Sequence, residues 1–523
     1  MNVDLGGMPH TDGARFDPDK VCLLGTRKSI IREITQWINS PGTDAVPSVF
    51  FLSGVAGYGK SAIAHTIAHT FNQDKRLGSS YFFDSADKEN IKPTNLLSTI
   101  SRDIATLDHQ WKMALFNVVK GDPSLQTTHS ATDQFSTFIL QPAKALAMVG
   151  PIVIVIDGLD ESAKGDRRAL LLDTLAKGVS DLPSNFRILI TARPDSDIVN
   201  AFKCNRRIFC KHINTMDEAA NEADITLFIE AQLSHIASLE LEWPNKRWCR
   251  MLVESSDGLF QWASTACRAI KFGEPGMRET ERLTRFVSSE RGLDKLYSEI
   301  LSLGFNVENY TVMSRFKLVM GRILAAKEPL SISAHSELRD ENDPADLVGL
   351  IVPQLGSLLS GVNQEHVPIR ALHPTFFEFL TDPKNLYHVD PSQHHRSLTL
   401  SSLRVMKKGL RFNICGLKTS HCRNDDVPDI STCLKSAIPT HLSYGCRFWV
   451  DHLRMTAYDK EILNELREFL HQRLLYWLEV LSLVKKVNIA SRTLRSMLEW
   501  NQVSRGVVYH TVPKLTVLRS GQD

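Results

Sequence analysis

Eight consecutive residues have the glycine spacing and the closing lysine and serine of a phosphate-binding loop. They are Gly54, Val55, Ala56, Gly57, Tyr58, Gly59, Lys60 and Ser61. The glycines let backbone N–H groups turn inward around phosphates, and a following helix adds the positive end of its dipole. Lys60 is predicted to reach the β and γ phosphates, and Ser61 to bind Mg²⁺. The alternative is a glycine-rich loop without a ligand, which the strand pattern before it and the helix pattern after it disfavour.

Three acids form the second candidate group. The branched run 152–156 leads directly into Asp157, and Asp160 and Glu161 follow closely. A buried strand that ends in an acid presents a carboxylate beside the phosphate-binding loop, so Asp157 is predicted to hold Mg²⁺. Asp160 and Glu161 are candidate catalytic residues that orient or deprotonate an attacking water. The alternative for all three acids is that they cap the next helix.

A third apolar run, 186–191, ends in Thr191 and is followed by Arg193. In an open parallel sheet, ligands bind beyond the carboxyl ends of the strands. Thr191 is therefore predicted to bind the nucleotide, and Arg193 to act as a catalytic sensor of the γ-phosphate. The alternative is a surface arginine at a strand end.

The elements that must position these residues follow from the apolar pattern. Runs of strand length at 48–52, 152–156 and 186–191 are separated by stretches with helical periodicity. Such alternation favours a parallel sheet covered by helices on both faces. After residue 217 the pattern is helical, with helices expected over 219–237 and 248–272, and a small mixed segment follows. Further along, His394 and His395 are expected at a solvated helix start.

We predict six segments. They are a loose lead-in at 1–21, an α/β domain at 22–215, a helical domain at 216–312, a mixed domain at 313–390, a C-terminal helical domain at 391–505 and a tail at 506–523.

Length and composition narrow the class of protein. The chain has 523 residues, in which 61 Lys and Arg residues balance 59 Asp and Glu residues. The sequence has no basic stripe of the kind that would indicate a nucleic acid or a membrane surface as a partner. The nine cysteines include no C-x-x-C pair, which indicates free thiols in a reducing compartment. No apolar run has the length of a membrane span. We therefore expect a cytoplasmic protein.

Taken together, the motifs resemble a known family. The phosphate-binding loop and the Asp157-to-Glu161 form of the acidic motif look like the NACHT subgroup of STAND NTPases, specifically the fungal set with a nephrocystin-3-like N-terminal region that often carries WD40 repeats. Further stretches agree with this resemblance: 22–27 with Trp37, 81–83, 258–263, 293–297 and 372–380. The resemblance implies an α/β P-loop NTPase domain with a parallel sheet, followed by helical, winged-helix-like and α-helical domains.

The resemblance also implies a function. Family members bind ATP or ADP with Mg²⁺, hold ADP in a closed state and oligomerise when ATP is bound, in fungal non-self recognition or programmed cell death. By position, His373 corresponds to the winged-helix histidine that touches the ADP β-phosphate, and Arg27 is expected near the base or phosphates. The effector and sensor partners are not indicated.

The chain departs from the family at Asp84-Ser85-Ala86, where relatives often carry an arginine. This departure favours slow ATP hydrolysis over fast hydrolysis. The alternative function is a nucleotide-binding scaffold without appreciable turnover. A nucleic-acid-dependent ATPase is disfavoured by the balanced charge.

Overall fold

The computed structural model describes residues 5–503 apart from 6–7, 12, 44–45, 85–92, 123–124, 126–127, 129, 163–164, 214–217, 235–245, 273–276, 289–291, 342, 345, 420–423, 425–426 and 428–429. Ser85 and Ala86 therefore lie outside the described residues.

A five-stranded parallel sheet lies at the centre of the N-terminal half. Its strands are β1 (Val49–Ser53), β2 (Leu77–Phe82), β3 (Ile152–Asp157), β4 (Phe186–Ala192) and β5 (Ile208–His212), in the order β2-β3-β4-β1-β5. The strands predicted from apolar runs are confirmed, because these runs are buried along their whole length. The sequence analysis missed β5, an edge strand in which Phe209 and Cys210 are exposed.

Helices cover both faces of this sheet. They are α1 (Lys28–Asn39), α2 (Lys60–Gln73), α3 (Leu96–Leu107), α4 (His109–Gly121), α5 (Ala131–Gln134), α6 (Gln141–Ala143), α7 (Asp166–Gly178) and α8 (Ser196–Phe202). The apolar sides of α1 and α2 pack on one face, and those of α3, α4, α7 and α8 pack on the other. Because β3, β4 and β1 are neighbours and parallel, the three predicted motifs meet at one edge of the sheet.

The described part of the N-terminal segment is packed, so the expectation of a loose lead-in is wrong there. Met8 and Ala14 are buried. The backbone N–H of Phe82 donates to the Ala14 carbonyl at 2.8 Å, and the N–H of Phe16 donates to the Ser80 hydroxyl at 3.0 Å. The first contact lies at the outer backbone edge of β2, and the second is made with a side chain of the same strand.

The middle of the chain is mainly helical. Its elements are α9 (Glu218–Leu233), α10 (Lys246–Ser256), α11 (Phe260–Phe272), α12 (Glu279–Ser288), α13 (Leu293–Gly304), α14 (Tyr310–Ala325), α15 (Ile332–Glu337), α16 (Leu347–Ile351), β6 (Leu359–Ser360), β7 (Arg370–Ala371) and α17 (Pro374–Thr381). The antiparallel pair β6–β7 among short helices gives the predicted winged-helix-like character. The domain boundaries stay predictions, and one apolar core runs from Ile225 to Val389 across two of the predicted domains.

The single helix expected over 248–272 is interrupted. Asp257 and Gly258 have φ values of 49° and 75°, in the left-handed region that ends a helix. A side chain at Gly258 would approach the Asn221 amide to 3.0 Å and the Tyr58 hydroxyl to 3.3 Å. The break therefore places the start of α11 beside the phosphate-binding loop.

The C-terminal part is helical, as predicted. Its helices are α18 (His395–Gly409), α19 (Ile430–Ala437), α20 (Thr440–Leu453), α21 (Lys460–Gln472), α22 (Leu474–Leu483) and α23 (Ala490–Val503). Their apolar sides form a separate core around Trp449 and Trp477.

The expectation of a solvated helix start at His395 is wrong, because this residue is buried in a hydrogen-bonded chain. Its Nδ1 lies 2.8 Å from Nδ1 of His452, and His452 Nε2 lies 2.7 Å from the Tyr444 hydroxyl. The Tyr444 hydroxyl accepts from the Lys327 N–H at 3.1 Å, so it is free to donate to His452. Both imidazoles are then neutral.

We expect stability to fall as the pH is lowered from about 6.5 to about 4. Burial lowers the pKa of His395 to about 4, and likewise that of His335 to about 4. An unfolded histidine titrates near 6.5, so between these values the unfolded chain binds more protons. Each such histidine then costs on the order of 3 kcal/mol below its folded pKa and nothing above 6.5.

Thermal unfolding of wild type and His395→Gln across this pH range checks the expectation, since carboxylates titrate alike in both proteins. The variant should show the shallower dependence. His109→Gln, at an exposed position, is the control and should keep the wild-type slope. Equal slopes for all three proteins would contradict the assignment.

Candidate nucleotide-binding site

A cavity of about 350 Å³ lies at the carboxyl ends of β1, β3 and β4, within the size range of small-molecule sites. Its lining combines the phosphate-binding loop with α2, the acidic motif and the end of β4. Residues before α1, on α9 and α11, and before α17 complete it. The predicted site residues that line it are Ala56, Gly57, Gly59, Lys60, Ser61, Asp157, Asp160, Glu161, Thr191, Arg193 and His373. Gly54, Val55 and Tyr58 belong to the same loop but are not part of this lining.

The loop has the backbone of a phosphate cradle. Gly57 and Gly59 have φ values of 82° and 91°, which favour glycine. Gly54 donates its N–H to the Ala192 carbonyl at 3.3 Å and so fixes the loop to β4. Within the described residues, the N–H groups of Gly57, Gly59 and Lys60 have no protein acceptor. These donors, at the start of the 14-residue helix α2, fit an anionic ligand.

Lys60 lies among both carbonyls and acids. Its Nζ donates to the carbonyls of Gly54 at 2.7 Å and Val55 at 2.9 Å. Burial lowers the pKa of Lys60, and the nearby Asp160 and Asp157 oppose this shift. The ammonium is thus a partly buried positive charge at the loop, where phosphate oxygens would replace the carbonyls as acceptors.

Asp157 is buried, with 5% of its surface exposed. Its carboxylate accepts hydrogen bonds from the hydroxyls of Thr191 and Ser61. Burial raises the pKa of Asp157, and these two hydroxyls and Lys60 counteract the rise. Thr191 thereby contacts the acid, in addition to lining the cavity.

The oxygen atoms of Asp157 and Ser61 fit Mg²⁺, which proteins hold through one or two oxygens together with substrate phosphates. Over the described ranges, no group of three or more His, Cys, Asp and Glu residues could hold a metal ion by itself. A metal at this position would depend on the phosphates of a bound nucleotide.

Asp160 and Arg193 are bound to each other. Asp160 Oδ1 accepts from the Arg193 N–H at 2.9 Å, and its Oδ2 lies 3.2 Å from Arg193 Nε. Arg193 Nη1 lies 2.7 Å from Oε1 of Glu378 on α17. Arg193 is therefore a partly buried sensor candidate rather than a surface arginine. Because both Asp160 oxygens face Arg193, the geometry favours a positioning role for Asp160.

His373 precedes α17 and caps it. Its Nδ1 accepts from the Thr375 N–H at 3.3 Å and lies 2.7 Å from the Thr375 hydroxyl, so the ring proton is on Nε2. Burial lowers the pKa of His373 to about 3, helped by the positive charges of Arg193 and Lys60. A neutral donor from the winged-helix-like region thus lines the same cavity as Lys60.

The sequence analysis expected Arg27 near the base or phosphates, but it did not predict the contacts that attach the helical region to the loop. The Gln261 N–H donates to the Gly57 carbonyl at 3.0 Å. Arg27, which is buried, donates from Nη2 to the Tyr58 carbonyl at 2.7 Å, and its own N–H donates to Asp224 at 2.9 Å. Its guanidinium lies 4.5 Å from the ring centre of Phe260. Arg27 thus contacts the loop backbone. Local spacing in the sequence predicts the loop motif but not this contact.

Six further residues of the lining were not predicted from the sequence: Lys20, Val21, Ala62, His65, Phe228 and Ser264. His65 Nδ1 accepts from the Asp17 N–H at 3.0 Å, and the ring stacks on Phe82 at 4.0 Å. Burial lowers the pKa of His65 to about 4. His65 and Phe228 add aromatic surface to the lining, of the kind found in small-molecule sites.

Comparisons with known proteins match the part of the chain that contains the three motifs. Residues 25–193 match the family model described as Nephrocystin 3, N-terminal, a range that contains all three motifs. The vegetative incompatibility protein HET-E-1 of Podospora anserina is 22% identical over 377 residues, which are 66% of this chain and 26% of that protein. The matched region spans about a quarter of that relative.

Among solved structures, Drosophila ORC bound to DNA is similar at 12% identity, with 70% of this chain and 97% of that chain covered and a TM-score of 0.34. A TM-score this low carries no argument. Among the described residues, no helix has the length and apolar character needed to cross a membrane.

The two sequence comparisons confirm the resemblance drawn from the motifs. They identify this chain as similar to the NACHT-type proteins of fungi, with a nephrocystin-3-type segment at residues 25–193.

Proposed function

We propose that this protein is an ATP- and ADP-binding signal-transduction NTPase that works as a nucleotide-controlled oligomerisation switch. One observation carries the proposal: Lys60 of the loop, Asp157 of β3 and His373 before α17 line a single cavity. A ligand in this cavity touches the sheet domain and the winged-helix-like region together. The number of phosphates on the ligand therefore sets how strongly the ligand holds the two regions together.

In this proposal the chain divides the work among its own residues. The loop N–H groups and Lys60 bind phosphates, and Ser61 and Asp157 hold Mg²⁺, which when bound shields the phosphate charge. Arg193 senses the γ-phosphate, Glu161 positions water, and His373 donates to the ADP β-phosphate. ATP turnover is slow in this proposal. Hydrolysis to ADP returns the switch to its closed state.

The similarity to a fungal vegetative incompatibility protein supports a role in non-self recognition or programmed cell death. We propose that the protein acts in the cytoplasm and forms homo-oligomers when ATP is bound. The balanced charge does not favour a nucleic acid partner. Light scattering of the protein with ADP and with ATP tests the assembly step, and equal masses in the two nucleotides would contradict it.

The nucleotide retained by purified protein, identified after denaturation, tests the proposal as a whole. Retained ADP is the expected result. Protein that retains no nucleotide and binds neither ADP nor ATP on addition would overturn the proposal.

A scaffold that binds nucleotide without appreciable hydrolysis is the second candidate. The observation that favours it is the mutual pairing of Asp160 and Arg193, which occupies two residues expected near the γ-phosphate. Phosphate release by wild type above that of Lys60→Ala would favour the switch that resets by hydrolysis. Equal phosphate release would favour the scaffold.

Substitution of the three acids should separate binding from turnover. Asp157→Asn is expected to weaken Mg²⁺-dependent nucleotide binding about tenfold, because a metal ligand acts in ground and transition states alike. Asp160→Asn and Glu161→Gln should leave ADP affinity within about twofold and slow turnover by at least roughly 100-fold. Titrations with and without chelator, together with phosphate release, measure both quantities. If Asp160→Asn and Glu161→Gln both hydrolyse ATP at the wild-type rate, neither Asp160 nor Glu161 is a catalytic residue.

A further inference from the structure

The Arg193 guanidinium lies between two carboxylates that come from different regions of the chain. Its Nε faces Asp160 at 3.2 Å, and its Nη1 faces Glu378 at 2.7 Å. Asp160 is 8% exposed at its side chain and is held in place by the Arg193 N–H as well. Glu378 is 54% exposed and belongs to α17, so it is the carboxylate that is able to leave.

A third anion at this guanidinium would meet strong repulsion. Arg193 brings one positive charge, which the two carboxylates already offset. Glu161 also lines the cavity. Burial lowers the pKa of Arg193, but the negative charges of Glu378, Asp160 and Glu161 outweigh burial and raise it overall. A γ-phosphate near Arg193 therefore competes with Glu378 for the same cation, whereas a diphosphate at the loop does not need this cation.

We propose that Glu378 is a specificity-determining residue that makes the site prefer nucleoside diphosphates over triphosphates. This inference rests on the proposed function and assigns its nucleotide selectivity to one side chain. A triphosphate binds Arg193 only when Glu378 leaves, and α17 moves with it. Because His373 caps the same helix, a movement of α17 also displaces His373, which lines the cavity.

The structure offers a matched control on the same region. Arg370 of β7 forms an ion pair with Asp84, which follows β2. This pair also joins the winged-helix-like region to the sheet domain, but neither Arg370 nor Asp84 lines the cavity. Arg370→Gln removes an ion pair between the same two regions and leaves Arg193 with both of its carboxylates.

The test is competition of ADP and of a non-hydrolysable ATP analogue against a fluorescent ADP, with Mg²⁺, on the full chain. Glu378→Gln should lower the ratio of the ATP-analogue Kd to the ADP Kd by roughly fivefold, the upper end for a partly exposed ion pair, with ADP affinity changed less than about twofold. Arg370→Gln should change both affinities by one common factor. Glu378→Ala is the second substitution and should reproduce the shift if Glu378→Gln folds poorly.

The possible failures point to different errors. Wild-type protein that binds neither nucleotide overturns the proposed function and this inference with it. Wild-type protein that binds both, while the Glu378 variants keep the wild-type ratio, overturns only the role of Glu378. The same change of ratio in Arg370→Gln would also overturn it, because the effect would then come from loosening the two regions in general.

Discussion

Lys60→Ala should reduce nucleotide affinity by at least about 100-fold while the fold is retained. Lys60 is the partly buried cation of the loop, within 2.9 Å of two loop carbonyls and close to Asp157 and Asp160. Its loss leaves those acids facing the phosphates without a positive charge between them. The loop itself is held by backbone contacts to β4 and to Gln261, which the substitution does not remove.

Isothermal titration with ADP and ATP measures this effect, and thermal unfolding checks the fold. Lys28→Ala is a matched control, because Lys28 is also the first residue of a helix but is exposed and outside the cavity. It should bind nucleotide like wild type. Unchanged affinity in the Lys60 variant would show that the loop does not bind phosphate.

His373→Ala should accelerate ADP release by roughly 10- to 150-fold and shift the protein towards larger species in ATP. This range corresponds to one hydrogen bond to a charged group, about 1.5–3 kcal/mol. Because the pKa of His373 is lowered to about 3, the imidazole stays neutral, and its contribution should be the same at pH 6 and pH 8. Stopped-flow displacement of fluorescent ADP and size-exclusion chromatography measure the two effects.

A second substitution separates the ligand contact from the helix cap. His373 also accepts the Thr375 N–H at the start of α17, and Asn is a good residue for this position. His373→Asn should therefore keep the helix but release ADP as fast as His373→Ala. Wild-type release from the Asn variant would mean that His373 serves only as a cap.

The sequence was sufficient for the features that depend on neighbours in the chain. The loop at 54–61 and the strands that carry Asp157 and Thr191 are local patterns, and the parallel order of the sheet brings them together. The contacts of Arg27 and Glu378 could not be predicted in this way. Arg27 meets Asp224 across 197 positions of the chain, and the Arg193 partner Glu378 comes from another region, so no spacing relates them.

Local patterns in the sequence also did not predict the strand β5 or the burial of His395. β5 has exposed positions that weaken its apolar signal, yet it pairs with β1 along five residues. The buried state of His395 depends on His452 and Tyr444 of another helix, which supply its hydrogen bonds. In each case the decisive partner is distant in sequence.

The packed N-terminal segment has a consequence for the behaviour of the protein in concentrated solution. β2 is an outermost strand, and its free side would present a row of amides and carbonyls. Such an edge is a template for pairing with other chains and for aggregation. The Ala14 carbonyl accepts from the Phe82 N–H on this side and shields it there, so the segment protects the sheet from self-association through this part of its edge. A version of the protein that starts after residue 20 would lose this shield before it lost any residue of the three motifs.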